Sequence, residues 1–218
     1  MVRLLIEISK RCAIRLIHVA KRFWAILISA AGLLIVCYSP AYFQGFHLIT
    51  AESKAAKKQI DYALNHYNDP NEAKFGNLGD VDCANFVSQT LFARGWKMTP
   101  EWFNEEVNGQ REFGRAWISS TALHDYIAEH KLAKALTWEQ RDQVKVGDIV
   151  QFDWDRSGDR DHTAIVSAIL VGNNSRELLL SQHSVGAFNI PISLVIAIHP
   201  GPANIYFWHL GKDKQKTR

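Results

Sequence analysis

The sequence predicts an α+β fold in which N-terminal helices pack on an antiparallel β-sheet, preceded by one transmembrane helix. Three observations predict it. An uncharged apolar run, Phe23 to Tyr38 (FWAILISAAGLLIVCY), follows a basic N-terminus. Between about residues 52 and 130 the apolar side chains recur at helical spacing. From residue 147 the period shortens to short apolar runs separated by turn signals, as in strands. Of the 218 residues, about 160 remain after the first 50 or so, which suits one domain with a sizeable core.

Residues 1–22 carry a net charge of +5, so the rest of this chain of formal charge +3 carries about −2. The basic pI of 8.7 therefore belongs to the tail, and nucleic-acid binding by the domain is not expected. Residues 23–43 are long enough to cross a bilayer, with Trp24 and Tyr42 at the two ends where interfacial aromatics belong. The basic flank precedes the run, so the positive-inside rule places the N-terminus in the cytoplasm and the domain outside. A cleaved signal peptide, giving a secreted domain, is the competing reading. The 22-residue n-region is long for one and no small-x-small cleavage site stands out, which favours an uncleaved anchor. The expected organisation is a basic tail at 1–22, an anchor at 23–43, a catalytic domain at 52–210 and a charged tail at 211–218.

Ala51 to Tyr67 is a helix by propensity, with Ile60, Ala63, Leu64 and Tyr67 on one face, and it ends before Asp69-Pro70. A glycine-containing loop leads to Asp82-Cys83-Ala84-Asn85-Phe86-Val87-Ser88-Gln89. Here Cys83, Phe86, Val87, Thr90 and Leu91 form the stripe of an amphipathic helix, with Asp82 suited to cap it and Gly95 to stop it. Thr99-Pro100-Glu101 reads as another helix start, and residues 102–116 as a surface excursion forming one wall of a cleft. Ser120 to His130 is a helix with Leu123, Tyr126 and Ile127 inward. Strands follow at 147–154, 162–170, 178–184 and 205–210, read as an antiparallel meander.

Cys12 and Cys37 lie in the tail and the apolar run, so Cys83 has no partner in its domain. A disulfide framework and a structural zinc site are not expected. A lone cysteine is more often a small core residue than a nucleophile. At a helix start, however, the unpaired N–H groups and the helix dipole favour a thiolate. A nucleophilic cysteine also needs a base and a group that orients the base. Of the nine histidines, His162 opens one predicted strand and His183 nearly closes the next. An antiparallel hairpin brings both to one end of the sheet, where one acts as base and the other orients it, or both are structural.

These blocks, with Gly147-Asp148-Ile149-Val150-Gln151-Phe152-Asp153-Trp154, Asp161-His162-Thr163-Ala164-Ile165-Val166, Ser181-Gln182-His183-Ser184 and Tyr206-Phe207-Trp208-His209-Leu210, resemble the bacterial putative amidase domain family. That family is similar to the NlpC-type, papain-like cysteine hydrolases of the cell wall. The resemblance runs over residues 52–210. It implies a papain-like fold with Cys83 as nucleophile, His162 as base and His183 as third member of a triad. Gln182 is adjacent and faces the other way on a strand, so a shift of one residue in register exchanges it with His183.

The implied reaction is amide hydrolysis through a thioester, with no metal or cofactor. The implied partner is peptidoglycan, through its stem peptides or cross-bridges, or another peptide. A catalytically silent cell-wall binding module on the same fold, and an acyltransferase or transpeptidase using the same thioester, are the alternatives. Asp155, Asp159 and Asp161 hint at a calcium loop, but their spacing misses the EF-hand pattern and Arg156 and Arg160 oppose a cation. Among six tryptophans of the domain, Trp102 and Trp117 fall in the excursion and are the candidate substrate contacts. Nothing in the sequence specifies an oligomer.

Overall fold

In the computed structural model, the described residues are 46–211 apart from 173, 185 and 200. Helix α1 (Lys54–His66) begins at Ser53, whose hydroxyl accepts from the Ala56 N–H. A single turn, α2 (Glu72–Phe75), leads to α3 (Cys83–Arg94). The hairpin β2 (Asn104–Val107) and β3 (Gln110–Phe113) then precedes α4 (Arg115–Ile118) and α5 (Ser120–Glu129). A sheet follows, formed by β4 (Lys134–Leu136), β5 (Ile149–Asp153), β6 (His162–Gly172), β7 (Ser175–Gln182), β8 (Ala187–Pro191) and β9 (Asn204–His209). The short helix α6 (Ile192–Ala197) leaves β8, and β1 (His47–Ile49) adds to the far half of β6.

The α+β expectation holds, with every strand pair antiparallel. The sheet order is β4-β9-β5-β6-β7-β8. Strands β5 to β8 form the expected meander, but β9 returns across the sheet to lie between β4 and β5. Strand β5 is thus central and buried along its whole length. Its alternate residues face two cores: Ile149 joins the helices, whereas Val150 and Phe152 pack with Val166, Leu180, Phe207 and Val195 of α6.

The Gly147-Asp148 pair that opens β5 has a mechanical explanation. Gly147 has φ +94°, and a Cβ there would lie 2.8 Å from Arg94 Nη1. Asp148 accepts the N–H groups of Lys145 and Leu210 and faces His209, tying the start of β5 to the end of β9. Burial raises its carboxyl above the usual range, against those hydrogen bonds.

Several expectations change. Helix α1 buries Ala56, Gln59 and Ala63, while Leu64 is 50% exposed, because Gln59 turns inward to accept from Arg94. No helix starts at Thr99: a turn closed by reciprocal hydrogen bonds between Thr99 and Trp102 drives the Trp102 side chain inward. The single-pass membrane topology is also corrected. Among the described residues no helix is long and apolar enough to cross a membrane. The run 23–43 and the tail 1–22 lie outside the described residues, and the placement built on that span is withdrawn.

Candidate active site

Helix α3 places Cys83 in its first turn, and Gly95 ends it in the left-handed region at φ +113°. It is not amphipathic: ten of its twelve residues are buried, polar ones included. Buried polar groups must be hydrogen-bonded, and here they bond one another. Asp82 Oδ1 accepts from Leu78 N and Asn85 Nδ2, so its side chain does not cap α3 in the expected way. Trp117 Nε1 donates to Asn85 Oδ1 (2.7 Å), Trp102 Nε1 to Ser88 Oγ (3.0 Å), and Ser88 Oγ to the Trp117 carbonyl. The Tyr62 hydroxyl donates to Gln89 (2.6 Å). Burial pushes its pKa up to about 12, with the Asp82 charge adding, so it remains a donor.

This network corrects the reading of Trp102 and Trp117 as substrate contacts. Both are 0% exposed, with ring centroids 4.5 Å apart, because the Thr99–Trp102 turn and α4 bring them against α3, where their indoles donate to Ser88 and Asn85. They hold the Cys83 helix from behind.

Cys83 and His162 come together at one end of the sheet. His162 opens β6 opposite Phe152 of β5. His162 Nε2 donates to Gln182 Oε1 at 3.0 Å, which leaves Nδ1 facing the thiol. Burial alone would raise the Cys83 pKa, but it is outweighed. The hydrogen bond and charge of His162, the Ser120 hydroxyl and the Thr163 backbone N–H together hold it below the ordinary thiol range.

The expected third member, His183, does not reach His162. Consecutive side chains along a strand point to opposite sides. Gln182 therefore turns to His162 while His183 turns to Asp82 Oδ2 (2.6 Å, through Nδ1) and the His66 carbonyl (2.6 Å, through Nε2). His183 also stacks on Phe86, with centroids 4.0 Å apart, and is 4% exposed. The ring is thus held between the Asp82 carboxylate and a backbone carbonyl.

Sequence reasoning missed Ser120. It opens α5, 37 residues beyond Cys83, and its hydroxyl lies 3.5 Å from Sγ. Its carbonyl accepts from Gln151 Nε2, and Gln151 Oε1 accepts from Trp208 Nε1, so the central strands position it. A serine at a helix start carries no signal of such a role beyond its suitability as a cap.

A cleft of about 390 Å³ opens over these groups, lined by Cys83, Ser120, His162 and Gln182 together with Trp154 and Asp161. Three larger clefts, of about 680, 540 and 450 Å³, touch none of the four. The reactive chemistry, and not the volume, marks the site.

A family model described as "Putative amidase domain" matches residues 53–207. The chain is 28% identical over 166 residues to Uncharacterized protein YjcM of Bacillus subtilis (strain 168), covering 70% of this chain and 37% of that protein. It is 28% identical over 117 residues to Uncharacterized protein YhbB of the same strain, covering 52% and 37%. The chain thus spans little more than a third of the length of these curated relatives. No solved structure matches it.

Proposed function

The chain belongs to the family of the "Putative amidase domain", which supports an amidase-type hydrolase, and we propose that it hydrolyses amide bonds by cysteine catalysis with Cys83, His162 and Gln182. The observation that carries this reading is the ordered line of groups at the helix start. Gln182 fixes His162 through Nε2, His162 faces Cys83, and the thiol is lowered in spite of its burial. A cysteine that only fills core space has no need of an oriented imidazole.

In this mechanism His162 Nδ1 takes the thiol proton and Cys83 Sγ attacks the carbonyl carbon of the amide. The first-turn N–H groups of α3 have no partner within the helix, and that of Cys83 faces the developing oxyanion. His162 then gives its proton to the leaving amine as the C–N bond breaks. Water, deprotonated by His162, cleaves the thioester and releases the acid. Gln182 keeps the imidazole in the tautomer with hydrogen on Nε2 throughout. The resemblance to NlpC-type hydrolases makes peptides of the cell wall, stem peptides or cross-bridges of peptidoglycan, the first substrates to try.

The test compares the full chain with its Cys83→Ala variant on defined muropeptides and on simple peptide amides, following released amine. Wild type should release amine and Cys83→Ala should not. Equal release by both would end the cysteine reading. Release of a new amide when an amine is added would point to acyl transfer instead.

A further inference from the structure

We propose that Asp153, Asp155 and Asp161 form a calcium site that fixes the loop between β5 and β6 as one wall of the cleft. One carboxylate oxygen from each lies within 4.8 Å of those of the other two. Oxygens bound at about 2.4 Å to one ion lie up to about 4.8 Å apart, so the three are close enough for small side-chain adjustments to bring them onto a common calcium.

The second observation is a buried atom. Asp153 is 0% exposed, and its two oxygens are treated differently. Oδ2 accepts from the Gly158 N–H (3.2 Å) and Asn204 Nδ2 (3.3 Å). Oδ1 is buried with no hydrogen-bond partner among the described residues. A buried carboxylate oxygen without a partner costs far more than an exposed one, so such atoms are rare without an ion or water to meet them. Nor does a lysine, arginine or histidine pair with any of the three carboxylates among the described residues. Asp161 Oδ2 accepts from the Trp154 N–H and Asp155 Oδ1 from the Ser157 N–H, so backbone groups meet the two exposed carboxylates.

The two arginines of the loop do not answer that charge. Arg160 turns away: its guanidinium donates to the Gly158 carbonyl, faces His124 Nε2 at 2.8 Å and lies over the Tyr206 ring at 4.3 Å. Arg156 is exposed, with its backbone in the left-handed region at φ 61°. The donors are all oxygens on an irregular loop, which suits calcium with its 6–8 adaptable ligands better than magnesium, which demands strict octahedral geometry. Waters and loop carbonyls would complete the shell. The site borders the cleft directly, since Trp154 and Asp161 line it and Asp161 precedes His162.

Terbium luminescence tests the proposal without reference to activity, because Trp154 lies between two of the ligands and can sensitise a bound ion. Chelator-treated full chain is titrated with Tb³⁺, then with Ca²⁺ or Mg²⁺ as competitor, and its melting temperature is followed with and without Ca²⁺. Saturable emission that Ca²⁺ displaces and Mg²⁺ does not is expected. At a hundredfold excess over Kd, Ca²⁺ should raise the melting temperature by about 5 °C. Asp155→Asn, an exposed isosteric change that leaves the fold intact, should weaken binding about tenfold or more. Absence of emission and of a calcium shift in wild type would overturn the proposal. So would unchanged binding in both Asp155→Asn and Asp161→Asn. A melting temperature that rises on acidification and ignores Ca²⁺ would mean a shared proton holds the carboxylates, and would overturn it as well.

Discussion

Behind Cys83, a wall of buried polar groups, Asp82, Asn85 and Ser88, finds its partners within the chain: Leu78, His183, Trp117 and Trp102. A second wall, the loop between β5 and β6, gathers the carboxylates of Asp153, Asp155 and Asp161, of which Asp161 lines the cleft, with no paired cation among the described residues. Both walls are polar, but the first is satisfied internally, whereas in the second one buried oxygen, Asp153 Oδ1, has no partner among the described residues. A fully satisfied buried network rigidifies what it surrounds, whereas an unsatisfied cluster leaves its geometry to the solution. Cys83, the proposed nucleophile, sits on the first wall. Its thiol is held by groups that need nothing from outside the fold, whereas the facing loop is the part that ions should tune.

The largest expected effect breaks the satisfied wall. His183→Ala removes the donor from Asp82 Oδ2, where the pair is 5% and 2% exposed, and empties the space stacked on Phe86. Leaving one buried charged partner alone costs about 3–5 kcal/mol, or roughly 10 °C in melting temperature. Thermal unfolding measures it, and a fall of less than about 3 °C would show that Asp82 does not depend on the ring.

Gln182→Ala should act the other way. It frees His162 Nε2 at the partly open end of the site while the network around α3 stays intact. Loss of orientation lowers kcat about a hundredfold, with little change in melting temperature. Circular dichroism and turnover on the same samples separate the two variants. If His183→Ala lost activity without losing stability and Gln182→Ala did the reverse, the two roles would have to be exchanged.

A smaller effect concerns the thiol itself. Its pKa is lowered although burial pushes it up, and His162 is the largest opposing cause. Lowering the pKa raises the thiolate fraction below the ordinary thiol value, so Cys83 should be alkylated by iodoacetamide at neutral pH. In His162→Ala the burial cost stands unopposed by the ring. The midpoint of the rate against pH must then move upward, and the rate near pH 7 must fall. A midpoint that does not move would mean that Ser120 and the Thr163 N–H hold the thiolate without the imidazole.

How much of this could be read from the sequence follows the same division. The helices at 54–66 and 120–129 and the strands at 149–153, 162–172, 175–182 and 204–209 carry periodic apolar patterns and were legible. The hairpin at 104–113 was not, because its sequence is mostly polar and it is tied to the α2 turn by Asn104 and Arg111 donating to the Phe75 and Ala73 carbonyls. Cys83 and His162 were legible because a helix start and a strand start are local features. Ser120, and the choice of Gln182 over His183, were not: one depends on contact across 37 residues and the other on a single step of strand alternation. The stripe through Cys83 misled because Asn85, Ser88 and Gln89, which lie off it, are buried polar residues with partners.

The smallest expected effect tests whether Trp102 belongs wholly to the satisfied wall. Trp102→Phe removes the indole N–H that donates to Ser88 Oγ and part of a fully buried ring. Ser88 keeps its bond to the Trp117 carbonyl, so the network loses one link and gains a small cavity. The cost is about 2 kcal/mol of stability. A residue buried behind the nucleophile's helix has no path to substrate, so KM and kcat below the melting transition should match wild type. A tryptophan that stacked on substrate would give the opposite result, a raised KM with stability almost unchanged. Measuring both on Trp102→Phe therefore decides whether this indole supports Cys83 from behind or meets what Cys83 attacks.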